Sequence, residues 1–331
     1  MDLISQFKMK AGKNLKKIVF PESSDERILK SAAQICNEGF AIPVLVGSTE
    51  KIKDAALTSR FNFEKVEIAD PSCSPMLERY AVHYADKRKE GGISKDIAIK
   101  LIQKNLFYAS MMVAEGDADG MVAGAKTATS LVIQAASLAI GYEEGISTPS
   151  SFFIMVLPEF RGQTDKIFVF ADCAVNIDPT AQQLAEIAVT SGRKAKGLLG
   201  VDCRIAFLSF STKGSASHPM VDKVTEALKI AREKDPGLLI DGEFQVDTAL
   251  IESVAQKKIK EPSEVAGRAN VLIFPDLNSG NIAYKLTQYL AGASAYGPFL
   301  QGFAKPVSDL SRGARVDDIV GAAAAVAAQI E

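Results

Sequence analysis

A stretch near the C-terminus, PVSDLSRGARVDDIVG (residues 306–321), concentrates the side chains best suited to chemistry. Arg312 offers a planar set of donors for a phosphate or carboxylate, Ser311 offers a hydroxyl group and Asp318 offers a base. On one continuous helix Ser311 and Asp318 would lie about 10 Å apart along the axis, so they could share a substrate only if the chain bends at Gly313. Helix capping by the aspartate pair explains the same residues without any function, and composition alone does not separate the two hypotheses.

Three other polar loops follow predicted strands. Hydroxyl residues that include Thr129 open a small, apolar predicted helix, where they could present donors to an anion, although helix capping is the simpler explanation for any one of them. TKGSASHP (residues 212–219) could cradle a phosphate or be an ordinary surface loop. Asp276 could orient a neighbour or cap a helix, although Asn278 or Ser279 is the simpler cap.

The composition is that of a soluble globular protein and argues against a nucleic-acid binder. The 331 residues include 38 Lys+Arg and 40 Asp+Glu, which gives a formal net charge of −2 without any basic run. No apolar stretch approaches the ~20 residues of a membrane span, and the charged N-terminal segment lacks the apolar core of a signal peptide. We therefore expect a cytoplasmic protein that binds neither nucleic acid nor membrane.

Metal and redox chemistry find little support. The cysteines are scattered, at positions 36, 73, 173 and 203, and no CxxC pair or neighbouring histidine accompanies them. We expect free thiols in a reducing compartment and no metal site. The P-loop, GxGxxG, HExxH and GxSxG motifs are all absent from the sequence, which argues against several large enzyme classes.

Strands and helices are predicted to alternate along nearly the whole chain. KIVFP (residues 17–21) is typical of a buried strand, and residues 26–37 carry apolar side chains on one helical face. IPVLVG (residues 42–47) predicts the next strand. This βαβ opening indicates a parallel sheet.

One β-rich pair interrupts the alternation. SFFIMVL (residues 151–157) and KIFVFAD (residues 166–172) predict a β-hairpin, interpreted as an inserted arm. With the chain length, the pattern predicts two α/β/α domains with mostly parallel sheets and an active cleft between them. The predicted domains are residues 1–148 with 295–331, which carry the C-terminal loop and helix, and residues 149–294, which carry the hairpin.

Segments spread over nearly the whole chain resemble the phosphate acetyltransferases (phosphotransacetylases) of the phosphate acetyl/butyryltransferase family. In order they are KIVFPES, DADGMVAGA, FADCAVNIDPTAQQLAEIA, IAFLSFST, DGEFQVDTA, NVLIFPDLNSGNIAYK, YGPFLQG and PVSDLSRGARVDDIV. The resemblance implies reversible acetyl transfer between CoA and inorganic phosphate, with acetyl phosphate as the third ligand. It also implies a fold like that of isocitrate and isopropylmalate dehydrogenases, a homodimer, and no metal or cofactor besides CoA as substrate.

The resemblance also implies roles for residues of the C-terminal stretch. Asp318, seven residues after the serine of DLSRG, matches the proposed base for the CoA thiol. Ser311 matches a residue that stabilises the intermediate, and Arg312 one that binds phosphate or acetyl phosphate. In this context Asp317 keeps the capping role.

Substrate-binding positions follow from the same resemblance. Tyr296 of YGP is expected to line the site, Arg88 to bind CoA, and Thr129 to supply a hydroxyl group at the phosphate site. The chain departs from the family pattern at Gln134, which occupies the position of an arginine that contacts the anion. Either Lys126 supplies the missing charge, or phosphate binds more weakly, or the acyl preference differs.

Three other functions remain open. A phosphate butyryltransferase-like enzyme would act on a longer acyl chain. A decarboxylating 2-hydroxy-acid dehydrogenase of related fold would need metal-binding aspartates and an adenosine site, and neither is evident. A non-catalytic acyl-phosphate or CoA sensor is conceivable because of Gln134.

Overall fold

The computed structural model describes residues 2–59 and 65–330. Its strands, numbered along the chain, are β1 Lys17–Phe20, β2 Ile42–Val46, β3 Glu67–Ala69, β4 Gly120–Ala123, β5 Ser150–Phe160, β6 Gln163–Ala171, β7 Arg204–Leu208, β8 Leu239–Phe244, β9 Val271–Ile273, β10 Ser294–Gln301 and β11 Val307–Asp309. Its α-helices are α1 Leu3–Ala11, α2 Glu26–Glu38, α3 Thr49–Ser59, α4 Leu77–Lys87, α5 Lys95–Ile102, α6 Asn105–Glu115, α7 Thr129–Ala139, α8 Ala181–Leu199, α9 Pro219–Lys234, α10 Val246–Leu250, α11 Glu252–Lys258, α12 Leu277–Leu290 and α13 Val316–Ala328.

The chain forms two compact units. The first comprises Met1–Glu144 with Phe303–Glu331, and the second comprises Gly145–Gly302. The predicted return to the first domain at residue 295 falls inside β10. Because β10 pairs with β5 over most of its length, that strand belongs to the second unit.

A parallel sheet organises the first unit. Its strands run in the order β3-β2-β1-β4-β11, and every pairing is parallel. Helices α1, α2 and α13 pack together on the sheet, while α4 to α7 form a second group. The Ala-rich α13 is buried along nearly its whole length, which its small side chains permit.

Local signals explain the βαβ opening. Strand β1 is buried at three of its four residues, as its apolar run predicted. Asp25 caps α2 by accepting a hydrogen bond from the Arg27 N–H group at 2.9 Å. Gly39 ends α2 in the left-handed region with φ 69°, where a residue with a Cβ is disfavoured.

The second unit has a mixed sheet in the order β10-β5-β6-β9-β7-β8. The predicted hairpin is present as β5 and β6, which pair antiparallel. Its interpretation as an inserted arm is wrong, because β10 pairs with the outer edge of β5 and β9 with the outer edge of β6. The hairpin is therefore the middle of this sheet.

The prediction of an α/β fold with mostly parallel strands is confirmed. Within the described residues, no helix combines the length and the apolar character needed to cross a bilayer.

Candidate active site

Three loops of the first unit leave its sheet at the carboxyl ends of neighbouring strands. They follow β1, β4 and β11, and β4 pairs with both of the others. In parallel sheets this edge is the usual place for a ligand, because the loops that leave it converge. The first loop supplies Glu22, the second leads into Thr129, and the third carries Ser311 and Arg312.

The turn between β4 and α7 wraps around the carboxylate of Glu22. Its four consecutive backbone N–H groups all donate to Glu22, which is only 7% exposed. Oε2 accepts from Gly124 at 2.9 Å and Ala125 at 2.7 Å. Oε1 accepts from Lys126 and Thr127, both at 2.7 Å. We call residues 124–127 the carboxylate nest, since successive N–H groups of this kind form an anion-binding concavity.

Arg27 holds the C-terminal loop against this nest. Its Nε and Nη2 groups donate to Asp25 at 3.0 and 2.8 Å, and Nη2 also donates to the Ala125 carbonyl at 3.0 Å. Its Nη1 group donates to the carbonyls of Arg312 at 2.8 Å and Ala314 at 2.7 Å. All five guanidinium N–H groups are therefore used, and one side chain joins three loops.

Asp309 lies at the end of β11 and is only 4% exposed. Its Oδ2 accepts a hydrogen bond from the Thr129 hydroxyl group at 2.5 Å. The pKa of Asp309 is raised to about 6, because burial and the nearby charge of Glu22 outweigh the opposing effects of the Thr129 hydrogen bond and the adjacent Leu310 N–H group. Thr129 is half-buried in the first turn of α7 and remains open to a ligand.

Ser311 and Arg312 are exposed at the turn that precedes α13. The bend expected at Gly313 is present, since the Gly313 N–H group donates to Ser311 Oγ at 3.2 Å and Ala314 N–H to the Ser311 carbonyl at 2.9 Å. Through Arg27, the carbonyls of Arg312 and Ala125 share one guanidinium group. The structure thus brings the Ser311–Arg312 turn next to the nest that leads into Thr129.

The capping role at the start of α13 belongs to Asp318 and not to Asp317. The helix begins at Val316, so Asp318 occupies its third position. Asp318 Oδ2 accepts from the Arg315 N–H group at 2.8 Å, which makes it the capping residue that we assigned to Asp317. Asp318 remains half-exposed, so capping does not withdraw its carboxylate from solvent.

The remaining predicted residues do not join this group. Arg88 donates to the carbonyls of Ser137 and Leu138 at the other end of α7, which lies about 14 Å from Thr129 along the helix axis. Gln134 is exposed, but five residues along a helix turn it roughly 140° away from Thr129.

Tyr296 lies on β10 of the second unit, half-buried. It therefore belongs to a different unit from the other predicted residues. Its role in the site stays a prediction.

The two other polar loops of the sequence are also built around carboxylates. In TKGSASHP, the Gly214 N–H group donates to Glu243 Oε1 at 2.8 Å. The hydroxyl group of Ser211, the residue before this loop, donates to the same oxygen at 2.8 Å. Lys213 pairs with buried Asp241 at 2.7 Å. These partners occupy donors that a phosphate would need.

At α12 the cap is Asp276, which accepts from the Ser279 N–H group at 2.8 Å. The simpler cap that we expected, Asn278 or Ser279, is wrong. The helix begins at Leu277, so both of these residues already lie inside it.

Sequence reasoning missed Glu22, Arg27 and Asp309. Their positions along the chain were the available signal. Glu22 lies just after the buried strand β1 and Asp309 ends the buried strand β11, at the edge of the sheet where loops converge. A further signal was the density of charged residues in PESSDER. Neither signal says which backbone groups a side chain will meet, because those partners are about 100 and 285 residues away in sequence.

Comparisons with known proteins identify the family of the chain. A sequence model of the phosphate acetyl/butaryl transferase family matches residues 2–328. The chain is 47% identical to a phosphate acetyltransferase of Thermoanaerobacterium thermosaccharolyticum, with 100% of each chain covered.

Solved structures give the same result. A phosphotransacetylase from Streptococcus pyogenes superposes with a TM-score of 0.92 at 42% identity, covering 99% of this chain and 97% of that one. A 4-hydroxythreonine-4-phosphate dehydrogenase from Burkholderia phymatum, at 13% identity, a TM-score of 0.52 and coverage of 96% and 99%, shares the fold alone. The chain belongs to the phosphate acetyl/butaryl transferase family.

Proposed function

We propose that this protein transfers an acetyl group reversibly between CoA and inorganic phosphate. The observation that carries the proposal is the Arg27 clamp, which places the Ser311–Arg312 turn beside the nest that leads into Thr129. The turns that carry a hydroxyl group, a guanidinium group and the N-terminus of a helix therefore adjoin at the carboxyl edge of one sheet. Such a set suits a tetrahedral anion.

The proposed chemistry is direct attack of the CoA thiol on acetyl phosphate. A thiol of ordinary pKa, about 8.5, is mostly protonated at neutral pH, so a base accelerates its attack. The contacts of Asp318 with Arg315 use Oδ2, which leaves Oδ1 to accept the thiol proton. Ser311 would stabilise the negative charge that develops on the carbonyl oxygen, and Arg312 would neutralise the departing phosphate.

These steps use only side chains of this chain, with CoA as a substrate and no metal or other cofactor. Tyr296, Arg88 and Gln134 are proposed to contact the substrates. Arg88 already anchors the C-terminus of α7, so its CoA contact would have to use what those hydrogen bonds leave free.

Replacement of the proposed base tests the mechanism. We expect Asp318→Asn to lower kcat for CoA-dependent phosphate release from acetyl phosphate by about 10²–10⁴-fold. Asn keeps an acceptor for the Arg315 N–H group, so the helix cap survives. The matched control is Asp317→Asn, which alters an exposed carboxylate in the same turn and should change kcat by less than about threefold. Unchanged turnover in folded Asp318→Asn protein would refute the base assignment.

The acyl preference is part of the same assay. We propose acetyl phosphate as the preferred substrate over propionyl and butyryl phosphate, measured as kcat/KM for each. A higher kcat/KM for butyryl phosphate would identify the longer-chain alternative. CoA binding without any phosphate release would instead support the sensor.

We also propose a homodimer formed through α12 of the second unit. Ile282, Leu286, Tyr289 and Leu290 are more than half exposed and recur at the spacing of one helical face. An exposed apolar stripe of this kind is typical of an association surface. Light scattering should show a dimer that Leu286→Glu dissociates, while the control Met9→Glu, at an exposed position of α1, leaves it intact. A monomeric wild-type protein would contradict the proposal.

We propose a cytoplasmic location, because the chain carries only unpaired cysteines in the described residues: Cys36, Cys73, Cys173 and Cys203. Fractionation of cells that produce the protein tests this. Recovery from an extracellular or periplasmic fraction would contradict it.

A further inference from the structure

Asp309 is a buried carboxylate with one oxygen left unsatisfied. Its Oδ2 accepts the Thr129 hydroxyl hydrogen, but its Oδ1 has no hydrogen-bond partner within the described part of the chain. The neighbouring Gly124 leaves room for this atom, since a Cβ on Gly124 would lie 2.3 Å from Asp309 Oδ1. An ionised carboxylate in this setting lacks the partners that buried charges normally have.

The Thr129 hydroxyl group has one hydrogen to donate. In the observed arrangement that hydrogen points to Asp309 Oδ2, at 2.5 Å. The hydroxyl oxygen then offers only lone pairs to the solvent side, and lone pairs repel a phosphate. The ionised Asp309 behind it adds a second negative charge close to the site. Thr129 therefore cannot bind an anion well while Asp309 is ionised.

We infer that anion binding at Thr129 is coupled to the uptake of one proton by Asp309. A proton from solvent adds to Asp309 Oδ2, which then donates to Thr129 Oγ1. The Thr129 hydroxyl hydrogen rotates away and donates to the anion. No other bond changes, and release of the anion returns the proton to solvent. This inference rests on the proposed function, because it takes Thr129 to be part of the phosphate site.

The surroundings of Asp309 favour this exchange. Glu22, from the loop after β1, is the charged neighbour that acts on Asp309, and its sign favours protonation. Strand β4 and helix α7, which pack against β11, carry no ionisable side chain, and α13 contributes only Asp317 and Asp318. Burial raises the pKa of Asp309 to about 6, so protonation is accessible near neutral pH.

The test uses sulfate, a tetrahedral anion whose own charge does not change near neutral pH, and isothermal titration calorimetry of the whole chain. Between about pH 5 and about pH 8, the sulfate Kd of the wild type should rise by up to about 100-fold, as expected for one coupled proton with a pKa of about 6. Repetition in buffers of different ionisation enthalpy should show the uptake of one proton near pH 8. A Kd independent of pH, or no sulfate binding at either pH, overturns the inference.

Two variants separate proton coupling from a structural role. Asp309→Asn presents an amide N–H group to Thr129 at every pH, so its sulfate Kd should stay near the low-pH value of the wild type. Thr129→Val removes the hydroxyl group, so its Kd should be weak and independent of pH. A wild-type pH slope in either variant overturns the inference, and Thr129→Val decides the matter if Asp309→Asn does not fold.

Phosphate release from acetyl phosphate by the wild type is measured beside these titrations. Turnover with a flat sulfate profile rejects only the proton coupling. Absence of turnover rejects the proposed function.

Discussion

Glu22→Gln should destabilise the first unit more than any surface substitution. The Glu22 carboxylate is buried and accepts hydrogen bonds from the four N–H groups of the nest, residues 124–127, at 2.7–2.9 Å. Glutamine has nearly the same shape but keeps only one acceptor oxygen. Its amide group would face two N–H groups of the nest, and these donors cannot pair with another donor.

The expected loss follows from these contacts. Each buried N–H group left unpaired costs about 1–3 kcal/mol, and the two remaining hydrogen bonds lose the assistance of the negative charge. We therefore expect the free energy of unfolding to fall by about 4 kcal/mol, a large part of the 5–15 kcal/mol typical of a domain.

Urea unfolding followed by far-ultraviolet circular dichroism measures this loss. Glu26→Gln is the matched control, because Glu26 lies at the start of α2 in the same loop region and its exposed side chain pairs with Lys30. That pair should contribute less than about 1 kcal/mol.

A loss below about 1 kcal/mol in Glu22→Gln would refute the reasoning. Tighter binding of phosphate to that variant would refute it in a second way. It would show that the nest exchanges its own carboxylate for a ligand, so that Glu22 is a competitor and not a structural anion.

Three more substitutions test separate contacts. Arg27→Lys leaves at most three of the five N–H donors, so the loop that carries Arg312 should lose its position. Steady-state kinetics of the folded variant should show kcat lowered by about tenfold or more. An unchanged kcat would contradict the role of Arg27 as a clamp. Gln134→Arg adds a cation in the middle of α7, on a face turned away from Thr129, so it should act only through long-range attraction. It should lower the KM of an anionic substrate several-fold at low salt and lose that effect at high salt, and a KM that does not depend on salt would contradict this. Burial raises the pKa of Asp241, but hydrogen bonds from Lys213 and Ser263 outweigh it and hold the pKa below its ordinary value. Asp241→Asn should therefore lower the free energy of unfolding, measured in urea at neutral pH, by about 3 kcal/mol. This difference between variant and wild type should shrink as the pH falls below about 4, and an equal difference at both pH values would exclude the ion pairs as its cause.

Patterns with a local cause were predictable from the sequence. Strand β1 and helix α2 follow from an apolar run, a capping Asp25 and a terminating Gly39, all within a few residues of the elements they define. The hairpin was found for the same reason, but its place in the middle of a sheet depends on β9 and β10, which lie far along the chain.

The site was predictable only in part. The resemblance supplied Ser311 and Arg312, and the structure places them next to the loop that ends in Thr129. The capping residue at α13 was misassigned because a cap depends on the exact first residue of the helix, which composition does not define. Glu22 and Arg27 were missed because their partners are backbone groups of distant loops, and backbone groups leave no trace in sequence.

The carboxylate nest around Glu22 keeps its conformation independently of the ligand that the site binds. The turn 124–127 is closed by an anion that belongs to the chain, so its conformation requires no substrate. Side chains that face the ligand can then change without loosening the turn that carries them. The hydrogen bonds of the nest involve none of the exposed side chains of α7, the helix that follows it. Exposed side chains of that helix can therefore be exchanged singly, Gln134 among them, on a framework that remains intact.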